Sequence, residues 1–423
     1  MNDFLSAITE VIHLPKMAKI RQTFPRPVLE DVGRAVAEQF FQRGIKDQLV
    51  PGSRIAITAG SRGITDIVPV LRAMVALLKE QGCHPFLFNA MGSHGGSNAE
   101  GQEIILEKLG ITTETIGAPI FCSMDLVVLT RLPDGTPIYI DKNAAEADGI
   151  ILVNRIKPHT GFRHKYESGL VKMAVIGMGK QKGAETCHHH GWGHMHERLD
   201  IISKAVFSNA KILFGVGIIE NAYDETAKVV ILPKDEIVPR EPYLLAEARN
   251  LMASLPVEKL DVLVVDRIGK NISGDGLDPN ITGTHFTPYN SGGPQSENVV
   301  ILDLTDESHG SAIGIGAASV TTKRFFDKID FEQTYPNCLT SKLLSVAKIP
   351  LIANSDQAAI SAAIYACALA DREKLRILRI RDSLHVDELY VSETLLTELR
   401  GKPSIEVLEE PEDWVFDESG NLF

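Results

Sequence analysis

Arg54-Ile55-Ala56-Ile57-Thr58-Ala59-Gly60-Ser61-Arg62-Gly63-Ile64-Thr65-Asp66 is the stretch on which the fold turns. An apolar run rich in branched residues breaks at a glycine turn, and from Asp66 to Gln81 apolar residues recur at helical spacing. This is a buried strand feeding a helix, the βα unit of a parallel sheet. The pattern repeats with a strand from Pro85 to Ala90, the loop Gly92-Ser93-His94-Gly95-Gly96 and a helix from Asn98 to Leu109. Ile150 to Asn154, Lys211 to Val216 and Val229 to Leu232 read as further strands. A helix from Glu241 to Leu255 stops at Pro256, and Asp261 to Val265 starts the pattern again. Strands at Val299 to Leu304, Pro350 to Ala353 and Leu375 to Ile380 follow, with a helix from Asp356 to Ala370. The expected fold is α/β, with two α/β lobes of mainly parallel sheet facing across a cleft and divided into residues 1–256 and 257–423. The acidic stretch after Pro411 reads as a polar tail.

Composition excludes several classes of function. The chain has 423 residues, 44% hydrophobic and 23% charged, enough for two cores and far from a disordered composition. A net charge of −12 with no long basic run argues against nucleic acid as a partner. Apolar stretches such as Ile212 to Ile219 fall well short of the roughly 20 residues that span a bilayer. Met1 to Lys16 lacks the basic start and continuous apolar stretch of a signal peptide, so a cytoplasmic location is expected. The five cysteines are widely spaced without a Cys-x-x-Cys and read as free thiols.

In such folds ligands meet the loops that leave the carboxyl ends of the strands. The first loop, Gly60 to Asp66, offers backbone N–H groups at a helix start and Arg62 as a clamp for carboxylate or phosphate. It reads equally as a turn in which Thr65 or Asp66 caps the helix. The second places His94 among glycines, where a ligand can approach closely and an imidazole can move protons. The third, Asn154-Arg155-Ile156-Lys157-Pro158-His159-Thr160, carries more ionisable groups than a turn needs. The fourth holds His188, His189, His190, His194 and His196, imidazoles suited to nickel or zinc. In the second lobe, Lys270 and Asn271 lie in a glycine-rich loop after a strand, and Asp356 and Gln357 open a helix that Asp356 would cap.

Taken in order, Gly92 to Gly96, Lys157-Pro158-His159, Ser168-Gly169-Leu170-Val171-Lys172 and His188 resemble the nickel-dependent lactate racemase family, best over residues 50 to 190. The resemblance implies a racemase or epimerase that inverts C2 of a 2-hydroxy acid by reversible hydride transfer to a nickel-pincer nucleotide. It implies His94 and His159 as the acid/base pair, Lys172 as the covalent tether and His188 as the nickel ligand. It also implies the enzymes of cofactor biosynthesis as partners. Thr65 and Asp66 are the expected cofactor contacts in the first loop. Arg62, Lys270, Asn271 and Gln357 are expected to meet the substrate. The first loop and the Lys270 loop differ from the lactate enzymes, and Arg163 and Lys165 add cations, so the expected substrate is a larger, polar or dianionic hydroxy acid. Two other readings stay open: a zinc-dependent hydrolase using the His188–His196 cluster, and a binding protein that keeps the fold without the reaction. Assembly into a homo-oligomer is also left open.

Overall fold

The computed structural model describes residues 4–188, 191–368 and 374–423. The chain forms two compact units, Pro25–Met252 and a second made of Met1–Phe24 with Ala253–Phe423. The division expected at residue 256 therefore falls at Met252, and the first residues join the second unit. The cause is an unexpected strand, β1 (Met17–Gln22), whose alternating burial suits a sheet with one covered face.

In the Pro25–Met252 unit the strands are β2 (Arg54–Ala59), β3 (His84–Asn89), β4 (Ile120–Phe121), a hairpin of β5 (Leu126–Arg131) and β6 (Pro137–Asp141), then β7 (Gly149–Arg155), β8 (Ile212–Glu220) and β9 (Thr226–Pro233). The main sheet runs β4-β3-β2-β7-β8-β9 and is parallel except for β9. Both faces are covered, which is why its strands read as continuous apolar runs. Ile55 and Ile57 join one core with the helix Ile67–Glu80, while Ala56, Ile150 and Leu152 face a second core with Leu170 and Ile202. Leu71, fully buried on that helix, is expected to cost about 2–5 kcal/mol on truncation to alanine. The strand order reverses between β2 and β7. Loops leaving the carboxyl ends of such neighbours diverge and open a crevice.

The second unit holds β10 (Lys259–Ile268), β11 (Gln295–Leu304), β12 (Val320–Thr322), β13 (Leu351–Ala353), β14 (Ile377–Ile380), β15 (Glu388–Ser392) and β16 (Ile405–Glu412). They form one sheet, β13-β12-β11-β10-β14-β15-β1-β16, parallel through β14 and antiparallel beyond it. The expected polar tail is ordered structure. β16 reaches Glu412, and Trp414, Phe416 and Leu422 pack on the core. The Trp414 indole donates to the Pro15 carbonyl at 2.9 Å, and the Leu422 N–H to Asp356 at 2.8 Å. Four acidic residues stand among the apolar ones in this stretch, and the apolar side chains decide its path. The helix expected to reach Ala370 runs Asp356–Ala366, and its cap is Ser355 rather than Asp356. All five cysteines are free. Among the described residues, no helix is long and apolar enough to cross a membrane.

Candidate active site

Three of the loops singled out by their chemistry leave the carboxyl ends of β2, β3 and β7. After β3 the chain turns through Gly92, Gly95 and Gly96, all at positive φ. At Gly95 (φ 62°) a Cβ would stand 2.6 Å from the Gly101 carbonyl carbon, so no other residue fits without displacing backbone. The turn carries His94, whose Nδ1 lies 2.7 Å from the Met91 carbonyl oxygen and 2.9 Å from Ser61 Oγ. A carbonyl only accepts, so Nδ1 carries the proton and, in the neutral ring, Nε2 holds the lone pair. The Ser61 contact ties this loop to the one after β2.

After β7, His159 is held the opposite way. Its Nδ1 accepts the Gly161 N–H at 2.9 Å, so the neutral ring carries its proton on Nε2. Its own N–H donates to Glu167 Oε2 at 2.7 Å. Glu167 is fully buried and also accepts from the His164 N–H, from Arg163 and from Arg249. Burial pushes the Glu167 carboxyl up, against the pull of those donors. The His159 ring packs 4.6 Å from Phe162 and 6.1 Å from Trp192, centroid to centroid. Burial, then the positive charges of Lys172, His188, Arg62 and Arg163, hold it well below the ordinary imidazole range. At neutral pH it is therefore an uncharged donor.

Lys172 closes the short helix Leu170–Lys172, which continues as a π-turn over Met173–Gly177. π-turns of this kind are frequent at functional sites. The start of this helix is capped by Glu241, a fully buried carboxyl that accepts the Val171 N–H at 2.9 Å. Burial pushes it up to about 7, against the backbone N–H groups of Val171 and Leu170. A Cβ on Gly169 would stand 2.4 Å from Glu241 Oε1, so this glycine makes room for the carboxylate. His188 ends the helix Lys180–His188, and its ring centroid lies 5.1 Å from that of Trp192. Trp192 thus touches both His188 and His159. The cluster comprises His159, Lys172, His188 and Arg62, with His94 joined to the Arg62 loop through Ser61.

Other expected contacts have local partners instead. The Thr65 N–H donates to Glu220 Oε1 at 2.9 Å, its hydroxyl to the Asp224 carbonyl, and Asp66 accepts from Thr226 at 2.6 Å. Both residues, expected as cofactor contacts, tie their loop to the β8–β9 hairpin, and Asp66 makes no side-chain cap. Arg163 and Lys165, expected to favour a dianionic substrate, face Glu167 and Asp200. Lys270, Asn271 and Gln357 belong to the other unit. There the Lys270 N–H meets Ser308, Asn271 accepts from Thr305, and the Gln357 N–H meets the Gly420 carbonyl. His194 and His196 are exposed beside Glu197, and His189 and His190 lie outside the described residues. Among the described residues, no group of three or more His, Cys, Asp or Glu side chains is placed to hold a metal ion.

The family model of the lactate racemase N-terminal domain matches residues 19–200. Residues 19–200 are thus similar to the lactate racemase N-terminal domain. The matched segment spans Arg62, His94, His159, Lys172 and His188, while Glu220 and Glu241, which brace it, follow it in sequence. Among solved structures, a Thermotoga maritima protein of 14% identity superposes with a TM-score of 0.50 over 77% of this chain and 84% of its own, a likeness of fold. The lactate racemase apoprotein of Thermoanaerobacterium thermosaccharolyticum, also 14% identical, gives 0.49 over 80% and 84%. No curated protein matches this chain.

Proposed function

We propose that the chain is an isomerase that inverts C2 of a 2-hydroxy acid, using a nickel-pincer nucleotide tethered at Lys172. The observation that carries this reading is the pair of imidazoles held in opposite neutral tautomers, one presenting a lone pair and the other an N–H. His94 Nε2 can take the proton of a substrate hydroxyl. His159 Nε2–H can hold an oxygen by hydrogen bond without adding charge, which its neutral state favours. Arg62 suits the substrate carboxylate, as a planar fork against a planar anion. Phe162 and Trp192 give the His159 side an apolar wall that limits water.

The donor set fits the cofactor: a primary amine at Lys172 for the tether, and an imidazole at His188 as a nitrogen ligand for nickel. When bound, the nucleotide supplies the redox centre that takes and returns the C2 hydrogen. The enzymes that make and mount the nucleotide are then required partners, and the reaction belongs in their compartment, the cytoplasm.

The test is the intact mass and metal content of protein purified from cells that make the cofactor, with the Lys172 peptide mapped. The expected result is a nucleotide-sized, sulfur-containing adduct on Lys172 with nickel present. Chiral separation of lactate, malate, tartrate and gluconate after incubation then identifies the substrate. An unmodified Lys172, in cells where a lactate racemase is loaded, would end this reading.

A further inference from the structure

Beneath the histidine loops runs a buried polar chain that none of the roles above uses. Lys180 and Asp141 are both fully buried, with Lys180 Nζ 2.9 Å from Asp141 Oδ2. The same ammonium donates to the backbone and side-chain oxygens of Asn89, at 2.7 Å each. Asn89 Nδ2 donates to Gln102 Oε1 at 2.5 Å. Gln102, itself fully buried, ends the chain with Nε2 donating to the carbonyls of Gly92 at 3.1 Å and His94 at 3.0 Å. A charge in the core is thus linked, side chain by side chain, to the backbone of His94.

Stability is a poor reason for this arrangement. A buried ion pair is often no better than a well-packed apolar pair, because both charges lose their water. Its place in the chain supplies another reason. Lys180 lies midway between Lys172 and His188, where the π-turn ends and the helix Lys180–His188 begins. It takes a left-handed conformation, φ 52°, that a lysine rarely adopts. The π-turn presses on the start of the His94 loop, since a Cβ on Gly177 would stand 2.9 Å from the Ala90 carbonyl oxygen. Lys180 therefore sits where the segment bearing Lys172 and His188 meets the loop bearing His94.

We propose that Lys180 is a positioning residue: through Asp141, Asn89 and Gln102 it locks the His94 loop onto the segment that carries Lys172 and His188. The proposal rests on the roles given above to those three residues. Without the chain the loop keeps its glycines but loses the two bonds from Gln102 to the Gly92 and His94 carbonyls.

Nitrogen NMR of protein carrying [15N]histidine reports the tautomer of His94, assigned by the signals lost in His94→Gln. The unsubstituted protein is expected to show an Nδ1-protonated ring. Gln102→Met removes both bonds to the loop and leaves no charge behind. The double replacement Lys180→Met with Asp141→Asn removes both buried charges and keeps a side-chain oxygen for the Ala144 N–H that Asp141 accepts. Both should shift His94 toward averaged tautomers. In cofactor-loaded protein both should lower kcat by roughly 10²-fold, with KM and the Lys172 adduct unchanged. Unchanged His94 signals in Gln102→Met, with only the melting temperature reduced, would overturn the proposal. If the loaded protein interconverts no hydroxy acid while His94 still follows the substitutions, the isomerase reading falls and the positioning role stands.

Discussion

The loop after β3 and the loop after β7 each deliver one histidine, and they are built on different physics. The first is shaped by glycine: Gly92, Gly95 and Gly96 adopt left-handed conformations that other residues rarely take, and neutral amides hold the loop from below. The second has no residue at positive φ from Asn154 to Phe162 and is shaped by charge, through Glu167 with Arg163 and Arg249. The outcome is two identical side chains with opposite neutral tautomers. What an imidazole offers a substrate is decided less by its own pKa than by what its other nitrogen meets.

The strongest way to break this comparison is to remove either ring. His94→Ala and His159→Ala are each expected to lower turnover by about 10²–10⁴-fold while the Lys172 adduct stays in the mass spectrum. Loss of the adduct in either variant would show that the ring holds the cofactor instead. The next contrast is between the anchors. Gly95→Ala should cost roughly 2–4 kcal/mol, since its Cβ meets backbone and its φ is strained. Glu167→Ala should cost about 2–3 kcal/mol through lost charged hydrogen bonds. Urea unfolding compares the two.

Glu241 extends the contrast to a carboxyl capped by backbone N–H groups. Its folded pKa, about 7, is above the ordinary 4.5, so the folded state binds the extra proton. Its stabilisation is complete below about pH 4.5, declines as pH rises, and is lost above about pH 7. Unfolding free energies of the native protein and Glu241→Gln, from urea titrations at each pH, should therefore diverge in favour of the variant between pH 5 and pH 8, by on the order of 2–3 kcal/mol. Parallel curves would place the titration elsewhere. The smallest effect is expected at Lys165, whose partner Asp200 is near the surface. Lys165→Met should change stability by less than about 1 kcal/mol and leave substrate preference as it was. A switch in preferred hydroxy acid would restore the idea that this cation selects a dianion.

The strands that carry the site were legible because they are buried on both faces. β2 is expected and found at Arg54–Ala59, and β3 is shifted by one residue. β1 and β16 escaped because their signal is non-local: Met17-Ala18-Lys19-Ile20-Arg21-Gln22 is half charged or polar, and its partner lies at the other end of the sequence. The histidine loops stood out as polar excess after apolar strands. Their supports did not. Lys180-Gln181-Lys182 looks like a solvated cluster, and Glu241 sits between Arg240 and Pro242 in what resembles a surface stretch. Nothing in such local patterns reveals that a lysine or a glutamate is fully covered. The one available hint was glycine: Gly169 and Gly177 flank the Lys172 turn, and both are positions where a side chain would strike a neighbour.

The pairing of β1 with β16 also has a meaning in time. Because both belong to one sheet, the Pro25–Met252 unit is an insertion within the other, spliced between β1 and β10. During synthesis that inserted unit leaves the ribosome with all its strands and can complete its own core. β1 is made before the inserted unit and stays without its neighbours until β15 and β16 have been made. The unit holding the histidines can thus assemble early, while the one it interrupts closes only after β15 and β16 have been made.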